Sequence, residues 1–321
     1  MNADNNFVMV TVRCLVYNHE PYLRKALDGF VMQKTNFHFE VIVHDDCSTD
    51  HSADIIREYE KKYPDIIKPI YETENQYSKG PLSKMRDKIL ADTRGKYIAL
   101  CEGDDYWTDP YKLQKQVDFL ESHPEYSLCF HTVAIEENGV ITRDDNKGKY
   151  PRDFSVDEVI QGGGGFMGTC SLVYRAKGHD HMLIFQKIAN IGDYPLQIRL
   201  ALEGKVHYLP DMMGVYRYNH PGSWTARSIA SIGYSFNKED RVWMTVLDKY
   251  THHKYAKSIH KMLFGENMQL LWDHNGSFIN LYQDLYYIHG LKPLFFKTSI
   301  AITLSLYKNR LIDMLRMSKN K

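Results

Sequence analysis

Two adjacent carboxylates, Asp104 and Asp105, follow an apolar segment of the chain within the sequence EGDDYW at 102–107. Residues 96–101 have the length and apolar composition of a buried strand. Carboxylates at the end of such a strand repel each other and lose hydration, so they need a compensating partner. Mg²⁺ or Mn²⁺ supplies one, because these ions bind carboxylates together with the phosphates of a substrate. The alternative is helix capping, for which Asp109 is better placed.

Polar side chains also follow two further predicted strands. They are Tyr17, Asn18 and Glu20 after a strand at 7–16, and Asp45 and Asp46 after a strand at 39–44. Helical segments separate the strands, and this alternation predicts a mainly parallel sheet with helices on both faces. In such sheets ligands bind beyond the carboxyl ends of the strands. The three polar clusters therefore predict a nucleotide-type site at one sheet edge.

Three segments together resemble the family 2 glycosyltransferases. They are VYNHE at 16–20, VHDDCSTD at 43–50 and GKYIALCEGDDYW at 95–107. They occur in the family's order and spacing, and the similarity extends over roughly residues 7–225. The resemblance implies an α/β fold of the GT-A type, which is a Rossmann-like, mixed, mainly parallel sheet flanked by helices. It also implies a nucleotide-diphosphate-sugar donor, a divalent cation (Mg²⁺ or Mn²⁺) and inversion at the anomeric carbon.

The resemblance also assigns roles to residues at the first two strand ends. Tyr17, with Asn18 and Glu20 nearby, matches the family's contact to the base and ribose. Asp46, with Asp45 beside it, matches the carboxylate that reads the base. Turn formation and helix capping are the alternative roles for the two aspartates.

Around the third motif the resemblance distinguishes the two adjacent aspartates. Asp105 matches the usual metal ligand, and Asp104 matches the residue that faces the ribose or sugar. Arg86 stands where many relatives carry an arginine that contacts the donor phosphates. Asp87 replaces the asparagine that usually follows, so a solvated helix charge is the equal alternative for Arg86.

Later in the chain, Asp193 and His220 complete the predicted site. The resemblance assigns Asp193, which follows Gly192, as the general base that removes the acceptor proton; capping of the next helix is the alternative. His220 lies in a polar segment where relatives place a loop that closes over the diphosphate. It is the second candidate metal ligand, and an ordinary hydrogen-bonded loop histidine is the alternative.

The predicted domain organisation has two parts. Residues 1–228 form the catalytic domain, with a nucleotide-sugar-binding half at 1–105 and an acceptor half at 106–228. Residues 229–321 form a mainly helical C-terminal extension, whose last segment mixes apolar and basic residues. Such a segment can pack on the catalytic domain, form a homodimer or contact a membrane surface peripherally.

Composition excludes several classes of protein. Lys plus Arg equals Asp plus Glu, at 40 each in 321 residues, so no overall basic field points to a nucleic-acid partner. The five cysteines form no CxxC pair, which suits a reducing compartment. The first residues lack the features of a signal peptide. These observations predict a cytoplasmic protein, located in the cytosol or at the inner face of the cell membrane.

The overall prediction is an inverting glycosyltransferase acting on a saccharide or lipid-linked saccharide acceptor, in bacterial surface polysaccharide synthesis. Two alternatives remain open at the sequence level. A metal-dependent nucleotidyltransferase would share the sheet and carboxylates, but it needs a basic, glycine-rich loop where this chain has residues 17–21. A non-catalytic nucleotide-sugar-binding protein would keep the fold without the reaction.

Overall fold

The computed structural model of the protein describes residues 7–78, 93–177, 182–223, 225–226, 238–259 and 261–263. The chain divides into two compact units, Met1–Met262 and Leu263–Lys321. All helices and strands given below belong to the first unit. Arg86 and the apolar, basic tail lie outside the described residues, as does most of the predicted C-terminal extension.

Within the described residues, ten strands form one sheet. In chain order they are β1 (Val10–Val16), β2 (Phe39–Asp45), β3 (Ile67–Tyr71), β4 (Tyr97–Leu100), β5 (Tyr106–Trp107), β6 (Tyr126–Glu137), β7 (Val140–Asp144), β8 (Arg152–Phe154), β9 (Val173–Arg175) and β10 (Lys205–Arg217). Their spatial order is β3-β2-β1-β4-β9-β6-β10-β5, with β7 paired to β6 and β8 paired to β10.

The first four strands form the parallel part of the sheet. β1 pairs in parallel with β2 and with β4, and β2 pairs in parallel with β3. β9 then runs antiparallel to both β4 and β6, whereas β6 and β10 are parallel to each other. The predicted mixed α/β sheet is thus confirmed, and its parallel strands lie mainly in the N-terminal half.

The helices follow the predicted alternation in this half. In chain order, the helices of the whole first unit include α1 (Glu20–Val31), α2 (Ser52–Lys62), α3 (Lys112–Ser122), α4 (Val156–Gly162), α5 (Ile184–Ile188), α6 (Asp193–Glu203) and α7 (Lys238–Tyr250). Among the described residues, none of the helices combines the length and the apolar composition that a membrane crossing requires.

The largest core cluster joins β1 and β2 to helices α1, α2 and α3. Alternate side chains of β1 enter it, because neighbouring side chains of a strand point to opposite faces. On α1 the buried apolar side chains recur at helical spacing, because one face of the helix packs against the sheet. They are Leu23, Ala26, Leu27 and Phe30. This packing holds the carboxyl ends of β1, β2 and β4 at one edge of the sheet.

Strand β10 is longer than the sequence indicated. The apolar pattern at 206–209 predicts a strand that ends before Pro210 and Asp211, but β10 continues to Arg217. Its pairing with β6 is irregular between Leu209 and Gly214, because a proline cannot donate a ladder hydrogen bond and is accommodated at a bulge. Beyond the bulge, Val215 pairs with Tyr106 of β5. The end of β10 therefore lies beside the acidic turn at 102–105.

Candidate active site

Backbone hydrogen bonds bring the three predicted polar clusters to the same edge. The N–H of Asp46 donates to the carbonyl oxygen of Val16 at 2.9 Å, and the N–H of Gly103 donates to that of Leu15 at 2.9 Å. The end of β1 therefore lies between the end of β2 and the acidic turn. This arrangement agrees with the prediction that all three clusters meet beyond the carboxyl ends of parallel strands.

The loops after β1 and β2 are linked by side chains that were predicted to contact the donor. Oδ1 of Asn18 accepts a hydrogen bond from the N–H of Thr49 at 2.7 Å. Oε2 of Glu20 accepts one from the N–H of His51 at 3.1 Å. Asn18 has a φ of 57°, a left-handed conformation that asparagine adopts more readily than most residues. Both side chains therefore shape the loops, and Tyr17, which is 38% exposed, remains open to a ligand.

Asp45 and Asp46 are both buried but have different surroundings. The carboxylate of Asp46 accepts the N–H groups of Gln76 at 2.7 Å and Tyr77 at 3.0 Å. It thereby fixes the loop that follows β3 against the end of β2. Oδ1 of Asp45 is buried and has no hydrogen-bond partner among the described residues.

In the acidic turn, Asp104 faces two imidazole rings. Nε2 of His220 lies 2.9 Å from Oδ2 of Asp104, and Nε2 of His19 lies 3.8 Å from the same oxygen. Burial alone would raise the pKa of Asp104, but the hydrogen bond with His220 and the charges of His19 and His220 lower it below its usual value. Asp104 is therefore the ionised carboxylate of the turn.

Asp105 points into the protein. Its side chain is buried, and Oδ1 accepts the backbone N–H of Arg217 at 2.9 Å. Burial, followed by the charge of Asp104, raises the pKa of Asp105 well above its usual value. Loss of hydration disfavours the charged form of a buried carboxyl, so this side chain is suited to supporting the turn.

Gly103 allows His19 to approach the acidic turn. A Cβ at this position would lie 2.9 Å from Nδ1 of His19 and 2.9 Å from Cγ2 of Val16. Real side chains do not approach that closely, so any larger residue would displace the ring or the turn. The glycine in the motif therefore has a packing role next to Asp104.

Asp193 is the first residue of α6. The N-cap position is Gly192, but Oδ1 of Asp193 accepts the N–H of Tyr194 in the first turn at 2.8 Å, so a capping role stays the alternative to a general base. Oδ2 of Asp193 is 3.5 Å from the hydroxyl of Thr169. Thr169 precedes Cys170, whose carbonyl oxygen accepts the Nε1–H of Trp107 at 2.8 Å, so Asp193 lies near the segment that follows the acidic turn.

Glu102 is the first residue of the acidic turn. Its side chain keeps an exposed surface, although the groups packed around the turn remove part of its hydration. Loss of hydration in this crowded setting, followed by the charges of Asp104 and Asp193, raises the pKa of Glu102 to about 8. A neutral Glu102 can donate a hydrogen bond to a ligand while Asp104 stays ionised.

Asp104 and His220 are the residues best placed to hold a cation. Among the described residues, no group of three or more histidine, cysteine, aspartate or glutamate side chains already forms a metal site. Mg²⁺ and Mn²⁺ do not require one, because substrate phosphates and water supply most of their ligands. The ionised carboxylate suits both ions, whereas the imidazole nitrogen suits Mn²⁺ better than the harder Mg²⁺.

The sequence did not assign roles to His19, Glu102 or Arg217. Glu102 was part of the quoted motif, and His19 adjoins Asn18, so both could have been named from position. Arg217 gave a different signal, since it is a charged residue at the end of a strand and precedes His220 by only three positions. Arg86 lies outside the described residues, so the structure describes no contact for it.

Comparison with protein families gives a match to more than half of the chain. The model described as "Glycosyl transferase family 2" matches residues 12–182, a little over half of the chain. An uncharacterized protein of Mycobacterium tuberculosis is 42% identical over 219 residues, which is 67% of this chain. The aligned part spans 60% of the length of that relative.

Two further similarities are informative. TuaG of Bacillus subtilis, named for a proposed role as a teichuronic acid biosynthesis glycosyltransferase, is 34% identical over 35% of this chain and 42% of its own. The crystal structure of TarS residues 1–349 from S. aureus, in complex with UDP-GlcNAc, has a TM-score of 0.60 and 16% identity. It covers 88% of this chain and 82% of TarS 1–349, so the two share the fold.

Proposed function

Because the chain belongs to glycosyl transferase family 2, we propose that it transfers a sugar from a nucleotide-diphosphate sugar to a hydroxyl group of an acceptor. One observation supports this proposal above others. Nε2 of His220 lies 2.9 Å from Oδ2 of Asp104, so the loop after β10 and the turn after β4 meet at the carboxyl ends of the parallel strands, where a donor diphosphate and its cation would bind.

The donor is proposed to lie across the ends of β1, β2 and β4. The exposed ring of Tyr17 offers a stacking surface for the base, and Asp46 organises the loop at 75–77 beside it. Asp45 remains a further candidate for contact with the base. TarS, which shares the fold, was crystallised with UDP-GlcNAc, and this supports a nucleotide sugar as donor here.

Asp104 and His220 are proposed to hold Mg²⁺ or Mn²⁺ against the diphosphate. This proposal gives Asp104 the metal-ligand role that the resemblance gave to Asp105, because Asp105 is buried against the backbone of Arg217. The cation would neutralise the charge that develops on the leaving diphosphate. Glu102 is proposed to donate a hydrogen bond to the sugar or ribose in its neutral form.

Asp193 is proposed as the general base in a single displacement. Its carboxylate takes the proton of the acceptor hydroxyl while that oxygen forms a bond to the anomeric carbon. The bond from this carbon to the diphosphate oxygen breaks, and the nucleoside diphosphate leaves with its electron pair. Attack from the face opposite the leaving group inverts the configuration. A positioned base contributes about 10²–10⁴-fold in rate.

The acceptor is proposed to be a saccharide or lipid-linked saccharide of the cell surface. The similarity to TuaG supports a role in polysaccharide synthesis. A cytoplasmic location, at or near the inner face of the membrane, is proposed because all five cysteines are free thiols. Free thiols persist in reducing compartments.

A donor screen tests the proposal. The purified chain is mixed with UDP-, GDP- and dTDP-sugars in the presence of Mn²⁺ or Mg²⁺, and thermal stability and nucleoside diphosphate release are measured. We expect one donor class to raise the unfolding temperature, since a ligand that binds the folded state stabilises it. The same donor class should also be hydrolysed slowly, with release of nucleoside diphosphate.

The two readouts separate the alternatives. If a nucleotide sugar raises the unfolding temperature but no acceptor tested leads to release of nucleoside diphosphate, the result would favour a non-catalytic binding protein. Release of pyrophosphate from a nucleoside triphosphate and a sugar phosphate would favour a nucleotidyltransferase. No stabilisation by any nucleotide sugar would overturn the proposal.

A further inference from the structure

Arg217 is a buried cationic residue that contacts both adjacent aspartates of the acidic turn, Asp104 and Asp105. Its backbone N–H donates to Oδ1 of Asp105 at 2.9 Å, and its Nη1 donates to the backbone carbonyl of Asp104. Its Nε donates to Oε1 of Glu136 at 2.9 Å. The residue is 7% exposed, so these contacts are shielded from water.

The second carboxylate oxygen of Glu136 also has contacts. Oε2 of Glu136 accepts the hydroxyl of Tyr106 at 2.9 Å, and Nζ of Lys25 lies 3.9 Å from it. Tyr106 follows the acidic turn directly, and Glu136 is near the end of β6. The pair of Arg217 and Glu136 therefore connects three strands at the edge that carries the candidate site.

Aromatic rings connect Arg217 to His220. The guanidinium carbon of Arg217 lies 4.6 Å from the ring centre of Tyr106 and 5.1 Å from that of Tyr22. The ring of Tyr22 in turn packs against the ring of His220, with 4.4 Å between centroids. The side chains around His220 and those around Asp104 thus meet at the same guanidinium group.

A buried ion pair of this kind is costly for the fold. Removing two charges from water costs several kcal/mol per ion, and apolar replacements are often equally stable. Stability alone therefore does not explain the pair. Its hydrogen bonds end on the two aspartates of the turn, which indicates a role in the geometry of the site.

We propose that Arg217, held by Glu136, is a positioning residue that fixes Asp104 relative to His220 and so sets the affinity of the site for a divalent cation and the donor diphosphate. The inference rests on the proposed function. Arginine is required because its planar group donates in two directions at once, to Glu136 and to the carbonyl of Asp104. Lysine carries the same charge but offers no fork.

Two variants test the inference by different routes. Arg217→Lys keeps the charge and removes the forked geometry, whereas Glu136→Gln keeps the size of the side chain and removes the anion. The matched control is Arg175→Lys. Arg175 also donates to a backbone carbonyl, that of Tyr126, but it pairs with Tyr97 at the start of β4, away from the site.

Mn²⁺ binding is measured by electron paramagnetic resonance, with Mn²⁺ alone and with UDP or GDP present, and folding is checked by circular dichroism and thermal unfolding. Substitutions around metal ligands typically weaken metal affinity by about 10–100-fold, and we expect a loss of at least about 10-fold for both test variants. Arg175→Lys should lower the unfolding temperature and leave the Mn²⁺ dissociation constant within about twofold, because it contacts no residue of the site. In the double variant Arg217→Lys with Glu136→Gln, the two losses should not add, because both act through one contact.

The outcomes distinguish this inference from the function on which it rests. If the wild type binds neither Mn²⁺ nor nucleotide, the proposed function fails. If the wild type binds both and the folded test variants bind equally well, the inference alone is overturned. An equal loss of affinity in Arg175→Lys would also overturn it, because the effect would then be general destabilisation. Should Arg217→Lys not fold, Glu136→Gln decides between these results.

Discussion

Nε2 of His220 lies 2.9 Å from Oδ2 of Asp104, and this contact joins the loop after β10 to the turn after β4. Two ligands of one Mg²⁺ ion, each bound at about 2.1 Å, are at most about 4.2 Å apart. The observed spacing is therefore compatible with a shared cation. Asp105 is adjacent in sequence but is bonded to the backbone of Arg217 instead.

The different surroundings of the two aspartates predict different effects of the same substitution. Asp104→Asn should weaken Mn²⁺ binding by at least about 10-fold, because the ionised ligand is lost. Asp105→Asn should weaken it much less, because the amide oxygen can still accept the N–H of Arg217. Titration of each purified variant with Mn²⁺ measures the difference. A larger loss in Asp105→Asn would restore the assignment that the sequence suggested.

Asp193→Asn should abolish transfer while the donor still binds. The amide cannot take the acceptor proton, so we expect turnover to fall by about 10²–10⁴-fold. Donor binding, measured by thermal shift, should be unchanged. Asp211→Asn is the matched control, since Asp211 lies on the surface and pairs with Lys115. Near-normal turnover of Asp193→Asn would remove Asp193 from the mechanism.

The raised pKa of Glu102 predicts how the stability of the metal-free protein depends on pH. A carboxyl whose pKa rises on folding from 4.5 to about 8 binds more protons in the folded state between these values. Its contribution to stability is therefore fully present below about pH 4.5 and is lost as the pH rises through about 8. Asp105, whose pKa is also raised, acts in the same direction.

Glu102→Gln should accordingly reduce this loss of stability with rising pH. Unfolding temperatures recorded in a chelator from about pH 5 to about pH 9 provide the measurement. The slope should decrease relative to the wild type but persist in part because of Asp105. Glu125→Gln, near Lys205 at the surface, is the control and should keep the wild-type slope. An unchanged slope in Glu102→Gln would contradict the raised pKa.

Gly103→Ala should destabilise the protein and weaken the cation site together. The new methyl group would press against His19 and Val16, and overpacking of this kind costs about 1–3 kcal/mol. Thermal unfolding and Mn²⁺ titration measure the two effects. Gly165→Ala is the control, because no atom lies within 4 Å of the position of its added Cβ. If Gly103→Ala kept the wild-type unfolding temperature and Mn²⁺ affinity, the prediction would be wrong, because the turn would then accommodate the methyl group without loss of stability.

Much of the fold could be predicted because its signals are local. The apolar segments that became β1, β2 and β4 and the helical spacing on α1 are properties of short stretches of chain. In a parallel sheet the residues after each strand meet at one edge, so Asn18, Asp46 and Asp104 could be placed together in advance. Strand β10 was underestimated because Pro210 interrupts the pattern, and only pairing with β6 and β5 carries the strand past it.

The residue types that meet at the sheet edge follow from the amino-acid sequence alone, because the three motifs adjoin their strands. Which of the two adjacent aspartates faces His220, and which is buried against Arg217, follows from contacts between distant parts of the chain. Neighbouring side chains point in different directions, and the partner that selects between them comes from a distant part of the chain. The contacts of Arg217 with Glu136 and of Asp193 with Thr169 likewise depend on long-range packing, which local patterns do not encode.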